Sequence, residues 1–362
     1  MRVNAGLEGI VVADTEISHV NGEEGQLIYR GYDVKQLARK ITYEQVVHLL
    51  WKGDLPQQKE EDSWTKIWKE AYELTEEWIE FLKIIPKEVD MLSSLRSILA
   101  TLDEPASPPT MAQAIKFLVS VPMIIAARYR LLQDLSIVHP RKDLSFAANY
   151  LYMLRGEIPS TAHVQGLDAY LVLTAEHGFN ASTFTARVVT STESDLISAI
   201  IAAIGALKGK LHGGAPLEVA DMLEEIREVN RAEKWMREKL ENREKLMGFG
   251  HRVYKTMDPR AEALRDVVQK NAKNEPWFQF AVQTEQIALA LLKEYKPHRQ
   301  IYTNVEFYTA AILKAIRLPK ELYVPTFAVS RTAGWIAHIL EQANHNRIIR
   351  PSARYVGCKD KK

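Results

Sequence analysis

Cysteine is almost absent: Cys358, in a polar C-terminal stretch, is the single one in 362 residues. That excludes an intrachain disulfide framework and fits a reducing compartment. Neither sign of charge is in excess, since 47 Lys and Arg face 46 Asp and Glu. The chain therefore offers no general basic field to nucleic acid or to an anionic membrane, and an anionic ligand must be met by local arginines. No apolar run is long enough to cross a bilayer; the longest, LISAIIAAIGAL from Leu196 to Leu207, reads as a buried helix. The opening MRVNAGLEGIVVADTEISHV carries Arg2, Glu8 and Asp14 and lacks the apolar core of a signal peptide, so a cytoplasmic location is expected. Internal repeats and low-complexity segments are also missing.

What is present is ample material for burial, with 46% hydrophobic and 26% charged residues, and a length that favours two domains. Only the beginning has a β pattern: GIVVADTEISHV and QLIYRGY flank NGEEG, a hairpin turn composition. From YEQVVHLLW onward the apolar residues fall three and four apart, the period of helices. Pro122 is expected to kink the segment TMAQAIKFLVSVPMIIAARYRLL, and Thr192 with Asp195 to cap the Leu196–Leu207 run. Between about Pro216 and Arg317 the sequence is more charged, as in REVNRAEKWMREKLENREKLM, and the core pattern returns in VPTFAVSRTAGWIAHILEQA. The expected fold is all-α with a short N-terminal β-hairpin. A large helical domain would take residues 1–213 and 318–362, and a smaller helical domain residues 214–317.

Four segments gather His, Arg, Gly and carboxylate: AEHGFNAS, KLHGGAP, MGFGHRVYKTMDPRAEALR and YTNVEFYTAA. Singly, each has an ordinary structural reading. GFGH lacks the third glycine and preceding strand of a dinucleotide fingerprint, and GALKGKL lacks the spacing of a phosphate loop. His338 and His345 share no carboxylate at metal-ligand spacing and are read as structural, so no metal site is expected.

Together, EHGFNAST, LHGGAP, GFGHRVYKTMDPR, NVEFY, SRTAGW and RPSARY, in that order, resemble the citrate synthase family. The resemblance includes the N-terminal GLEGIVVADTEISHVNGEEGQLIYRGY and is strongest to the short Bacillus-type members. It implies a nearly all-helical homodimer with shared active sites in a cleft between two domains. The reaction implied condenses acetyl-CoA with oxaloacetate and hydrolyses citryl-CoA to citrate and CoA, with no metal or redox cofactor. By matching motifs, the resemblance makes His212, His251 and Glu306 catalytic. It gives oxaloacetate to His177, Asn180, His251, Arg260, Arg331 and Arg350, the last reaching in from the other subunit. CoA falls to the loop Met247, Gly248, Phe249 and Gly250, to Lys255, and to Arg354.

These residue types suit that chemistry. A thioester methyl is so weak an acid that a carboxylate deprotonates it only if the enolate oxygen is stabilised as charge develops. His212 precedes an amphipathic run, where a helix dipole favours a neutral ring able to donate a hydrogen bond, and Gly213 and Gly214 admit a ligand close to the backbone. His177 appears as the end of a helix, before Gly178, a place that favours a cationic ring facing a dianion. Glu306 departs from the family, most of whose members carry aspartate there. Three rivals stay open: a 2-methylcitrate synthase using propionyl-CoA, a citryl-CoA lyase module, and a non-catalytic helical binding protein. Lyase modules usually sit in longer chains, whereas this one ends soon after RPSARY.

Overall fold

The computed structural model describes residues 4–102, 109–212, 215–251, 253–271 and 276–358. Sixteen α-helices, two short 3₁₀ helices and one small sheet make up the regular structure of the described residues. The expected hairpin is present as Ser18–Asn21 paired antiparallel with Gln26–Tyr29, in register Ser18 opposite Tyr29 and Asn21 opposite Gln26. A third short strand, Tyr32–Asp33, adds to its edge and leads straight into the helix Val34–Lys40. The turn is shaped by Asn21, whose Oδ1 accepts the backbone N–H groups of Glu23 and Glu24 at 3.1 and 3.2 Å.

The helix Tyr323–Asn344, written in sequence as the returning core pattern, is buried along most of its length. It packs against Met111–Leu132, Thr161–Thr174, Ala181–Thr190 and Leu196–Leu207. Met111–Leu132 is long and apolar enough to cross a membrane by composition, but 78% of its apolar window is buried inside the fold, which makes it a core helix. It runs as one helix with Pro122 inside it. Asp195 alone caps Leu196–Leu207, accepting the Ser198 N–H at 2.7 Å; Thr192 instead donates back to the Val189 carbonyl.

The more charged stretch forms Ala215–Ile226, Val229–Glu241, Pro259–Asn271, Pro276–Tyr295 and Val305–Ala315. Val229–Glu241 buries only Ala232, Met236 and Leu240, spaced by four, against Pro276–Tyr295. Pro259–Asn271 packs both on Val305–Ala315 and on Val34–Lys40 and Thr161–Thr174. Lys35 pairs with Glu262 at 3.1 Å and Arg39 with Asp266 across that second contact. Gly213 and Gly214, and with them the expected domain boundary, lie outside the described residues.

Candidate active site

The helix Thr161–Thr174 ends three residues before His177, so His177 is a loop residue and not a helix terminus. The helix-end reason for a cationic ring is therefore withdrawn. Burial, then Arg260, Arg331 and His251, push its pKa well below the ordinary value. Its Nε2 lies 3.0 Å from the Tyr254 hydroxyl. The loop is held from beneath by Glu176, fully buried, whose Oε1 accepts from Ser18 Oγ at 3.0 Å, from His338 Nε2 at 3.1 Å and from the Gly178 N–H. Burial alone would raise that carboxyl; His338 and Arg331 hold it below the usual range. His338 thus ties the loop to the helix Tyr323–Asn344. Asn180 caps Ala181–Thr190 through its Oδ1, which takes the Thr183 N–H at 3.0 Å, while its buried Nδ2 has no protein partner and is left for a ligand.

His251 and Arg260 are set by one short segment. His251 Nδ1 accepts two backbone N–H groups, from Val253 at 2.9 Å and Tyr254 at 3.0 Å. The proton of a neutral ring must then sit on Nε2. Burial and the neighbouring Arg260 lower the pKa of the ring to about 4, so it is neutral at physiological pH. An Arg260 guanidinium nitrogen stands 3.4 Å from Nε2. Arg260 is itself buried and held by Asp258 in a fork, Nε to Oδ1 at 3.0 Å and the terminal nitrogen to Oδ2 at 2.8 Å.

Glu306 is the second residue of Val305–Ala315, where Asn304 Oδ1 caps its backbone N–H at 3.1 Å. Burial raises its pKa to about 7; Arg260 and Arg331 pull the other way, while Asp258 adds to the rise. A carboxylate so poised is matched to proton abstraction near neutral pH. Asp258 also accepts the Val305 N–H at 3.2 Å, so one buried carboxylate fixes both Arg260 and the start of the helix that carries Glu306.

His212 is half-buried, with a pKa lowered to about 4 by burial and by Arg331. Its Nε2 is 2.8 Å from Ser182 Oγ, which takes the Trp335 indole N–H at 3.1 Å. The Ser182 proton has two acceptors, His212 Nε2 and Asn180 Oδ1, each at 2.8 Å. When Ser182 donates to His212, Asn180 Oδ1 keeps its bond from the Thr183 N–H. The ring proton then sits on Nδ1, where it can be given to a ligand. Arg331, buried and anchored by its Nε on the Thr174 carbonyl at 2.7 Å, lies between these groups.

The loop Met247–Gly250 is stitched to the stretch before Glu306: Gly250 N–H to Tyr302 O at 2.7 Å, Asn304 N–H to Gly248 O at 3.0 Å, and Asn304 Nδ2 to Gly250 O at 2.8 Å. Beside it opens a cavity of about 520 Å³ that reaches His251, with Lys245, Lys255, Lys296 and Arg299 in its wall. Lys255 is exposed and paired with Glu23. The structure thus links His177, Asn180, His212, His251, Arg260, Glu306 and Arg331 through ring and hydrogen-bond contacts and through the electrostatic influence of Arg260 and Arg331. It does not bring Arg350 or Arg354 into this set, both of which are exposed in the C-terminal segment. Asp258, Ser182, Glu176, Lys245, Lys296 and Arg299 were missed in the sequence. Glu176, Ser182 and Asp258 stood inside quoted motifs, and of these only Asp258, at an Asp-Pro helix start, carried a local signal of its role.

The family model described as citrate synthase, C-terminal domain, matches residues 6–352. The chain is 42% identical to citrate synthase 2 of Bacillus subtilis, over 99% of this chain and 96% of that one. It is 36% identical to the 2-methylcitrate synthase of Mycobacterium tuberculosis, over 98% and 91%. Among solved structures, the citrate synthase of the archaeon Thermoplasma acidophilum, in ternary complex with carboxymethyl coenzyme A and oxaloacetate, superposes with a TM-score of 0.88 at 29% identity, over 100% of this chain and 98% of that one. A match of this extent, on a helical fold with these side chains converging, means that the chain belongs to the citrate synthase family of acyltransferase enzymes.

Proposed function

We propose that this member condenses acetyl-CoA with oxaloacetate and hydrolyses the resulting citryl-CoA. The observation that carries the reading is Glu306, a carboxylate raised to about 7 and set beside two neutral histidines and two buried arginines. Glu306 takes a proton from the acetyl methyl while His212 Nδ1–H hydrogen-bonds the thioester oxygen, so the enolate never carries a free charge. The enolate carbon attacks the ketone carbon of oxaloacetate. His251 Nε2–H hydrogen-bonds the ketone oxygen and passes it the proton as the alkoxide forms, the ring charge being held at Nδ1 by the Val253 and Tyr254 N–H groups. Arg260, Arg331, His177 and Asn180 hold the oxaloacetate carboxylates. Water then adds to the citryl thioester, the C–S bond breaks, and coenzyme A leaves as the thiol. Each step uses side chains of the protein and calls on no metal or redox cofactor.

In the same reading, residues 1–213 with 318–362 and residues 214–317 are the two domains, and the Met247–Gly250 loop, Lys255 and Arg354 serve the CoA. Arg350 and Arg354 act on the site of a second copy. In support of dimerisation, the N-terminal residues Leu7, Ile10 and Val12 line a groove of about 770 Å³ with Ile348 and Arg350, and Val11, between two of them in sequence, is mostly exposed. The cell compartment is the cytoplasm.

The likeness to a 2-methylcitrate synthase leaves one competing substrate, propionyl-CoA, larger by one methylene. Such a difference is worth about 1–3 kcal/mol in a fitted pocket. Thiol release from acetyl-CoA and from propionyl-CoA, each with oxaloacetate, decides it. A higher kcat/KM for acetyl-CoA is expected. A higher value for propionyl-CoA assigns the 2-methylcitrate reaction, and no thiol release from either overturns the synthase reading.

A further inference from the structure

The N-terminal sheet lies far in sequence from the site residues, yet it touches the segments that carry His177 and His251. On one side Ser18 Oγ donates to Glu176 Oε1, and the Tyr29 hydroxyl accepts the Glu176 N–H at 3.1 Å and donates to the Glu176 carbonyl at 2.8 Å. On the other side its turn meets the segment after His251: the Lys255 N–H donates to the Gly22 carbonyl at 2.9 Å. The approach is close enough that a Cβ on Gly22 would lie 2.1 Å from the Val253 carbonyl oxygen. A Cβ on Gly25 would lie 2.3 Å from Thr256 Oγ1.

We propose that the hairpin turn Asn21–Gly25 positions the His251–Arg260 segment, with Gly22 the positioning residue for His251. The link is one peptide group. The Val253 carbonyl that faces Gly22 and the Tyr254 N–H that donates to His251 Nδ1 belong to the same plane, which is stiff about its C–N bond. Pushing the carbonyl away from the turn therefore swings the N–H off Nδ1. One of the two hydrogen bonds that assign the His251 proton to Nε2 weakens, leaving the Val253 N–H alone to hold the ring, and the donor aimed at the ketone oxygen loses its fixed direction.

Gly22 has no left-handed backbone torsion, so alanine there is excluded by contact and not by conformation. Gly31, at the other end of the sheet, is the reverse case: its φ is +89° and a Cβ would meet nothing within 4 Å. Gly31→Ala strains the backbone without pressing on the segment. The pair separates positioning from stability.

The kinetic arm of the test rests on the synthase reading above; the spectroscopic arm does not. In Gly22→Ala, kcat is expected to fall at least about tenfold with the oxaloacetate KM raised. Nitrogen NMR of histidine-labelled protein should show the His251 signals leaving the pure Nε2–H pattern of the wild type. Gly31→Ala should lower the melting temperature and leave both kcat and the His251 spectrum unchanged. Should Gly22→Ala fail to fold, Asn21→Ala serves, since it adds no atom and removes the two hydrogen bonds that shape the turn; the same spectral change and a several-fold fall in kcat are expected. Folded Gly22→Ala or Asn21→Ala protein with a wild-type His251 spectrum would overturn the proposal. So would a Gly31→Ala variant that moved that spectrum as far. If the wild type releases no thiol, the synthase reading fails and the spectra still decide this one.

Discussion

The segment His251–Arg260 and the C-terminal segment Arg350–Arg354 both bring cationic or donor side chains to a polar stretch, and the fold treats them oppositely. In the first, Arg260 is buried, forked onto Asp258, and pressed toward His251. In the second, the chain is tied down as far as Ile349, whose N–H donates to Ser191 Oγ at 3.0 Å, and Arg350 and Arg354 then stand in the open. Burying an arginine is tolerable only where a carboxylate and fixed hydrogen bonds meet it, and one chain supplies these for Arg260. An exposed arginine is left for something that arrives later. The contrast supports the proposal that one chain builds the inner half of the site and that Arg350 of a second copy completes the outer half.

The most drastic way to break that contrast is to split the two halves between protomers. His251→Ala and Arg350→Ala homodimers should each lose activity, the first by on the order of 10²–10⁴-fold if His251 acts in acid–base chemistry. Mixed dimers contain one site with every wild-type side chain, so their thiol release should recover well above either parent. Verified mixed dimers as inactive as the parents would show that Arg350 serves no shared site.

A smaller effect, about a hundredfold in kcat/KM for oxaloacetate, is expected of Asp258→Asn. The amide keeps the shape and removes the charge under Arg260, and breaking a buried pair costs on the order of 3–5 kcal/mol. Thermal unfolding should fall by several degrees in parallel. An unchanged melting temperature and KM would mean that Asp258 is not what holds Arg260.

Smaller again is Ser182→Ala. Losing one hydrogen bond worth about 0.5–1.5 kcal/mol frees His212 to take the wrong tautomer. A fall in kcat of about tenfold, with the oxaloacetate KM nearly unchanged, is expected from steady-state assays.

Where the sequence was readable, chemistry was local. The helix start at Glu306 and the cap at Asn180 follow from short-range rules, and the contiguous GFGHRVYKTMDPR carries His251 and Arg260 together. Where it was not, the partner came from afar. Nothing in the spacing links Ser182 to His212, Glu176 to His338, or Lys296 to the Met247–Gly250 loop, because tertiary packing sets those pairs. The third strand was missed because two residues carry too little alternation to register. The helix-end reading of His177 failed for a local reason: its helix stops at Thr174, three residues short of the histidine.

Glu306 as the base is tested most directly by the pH dependence of kcat/KM for oxaloacetate, which reports the free enzyme. A base must be deprotonated to act, and burial has raised Glu306 to about 7. The rate should therefore be level above about pH 7 and fall tenfold for each unit below it. Glu306→Gln, which keeps the shape without the base, should lower kcat by at least about a hundredfold and abolish that limb. Glu306→Asp should also be slower than the wild type, since withdrawing the carboxylate by one methylene misplaces it in a site fitted to glutamate. A folded Glu306→Gln enzyme that kept most of its kcat, with the same limb near pH 7, would show that the proton goes elsewhere.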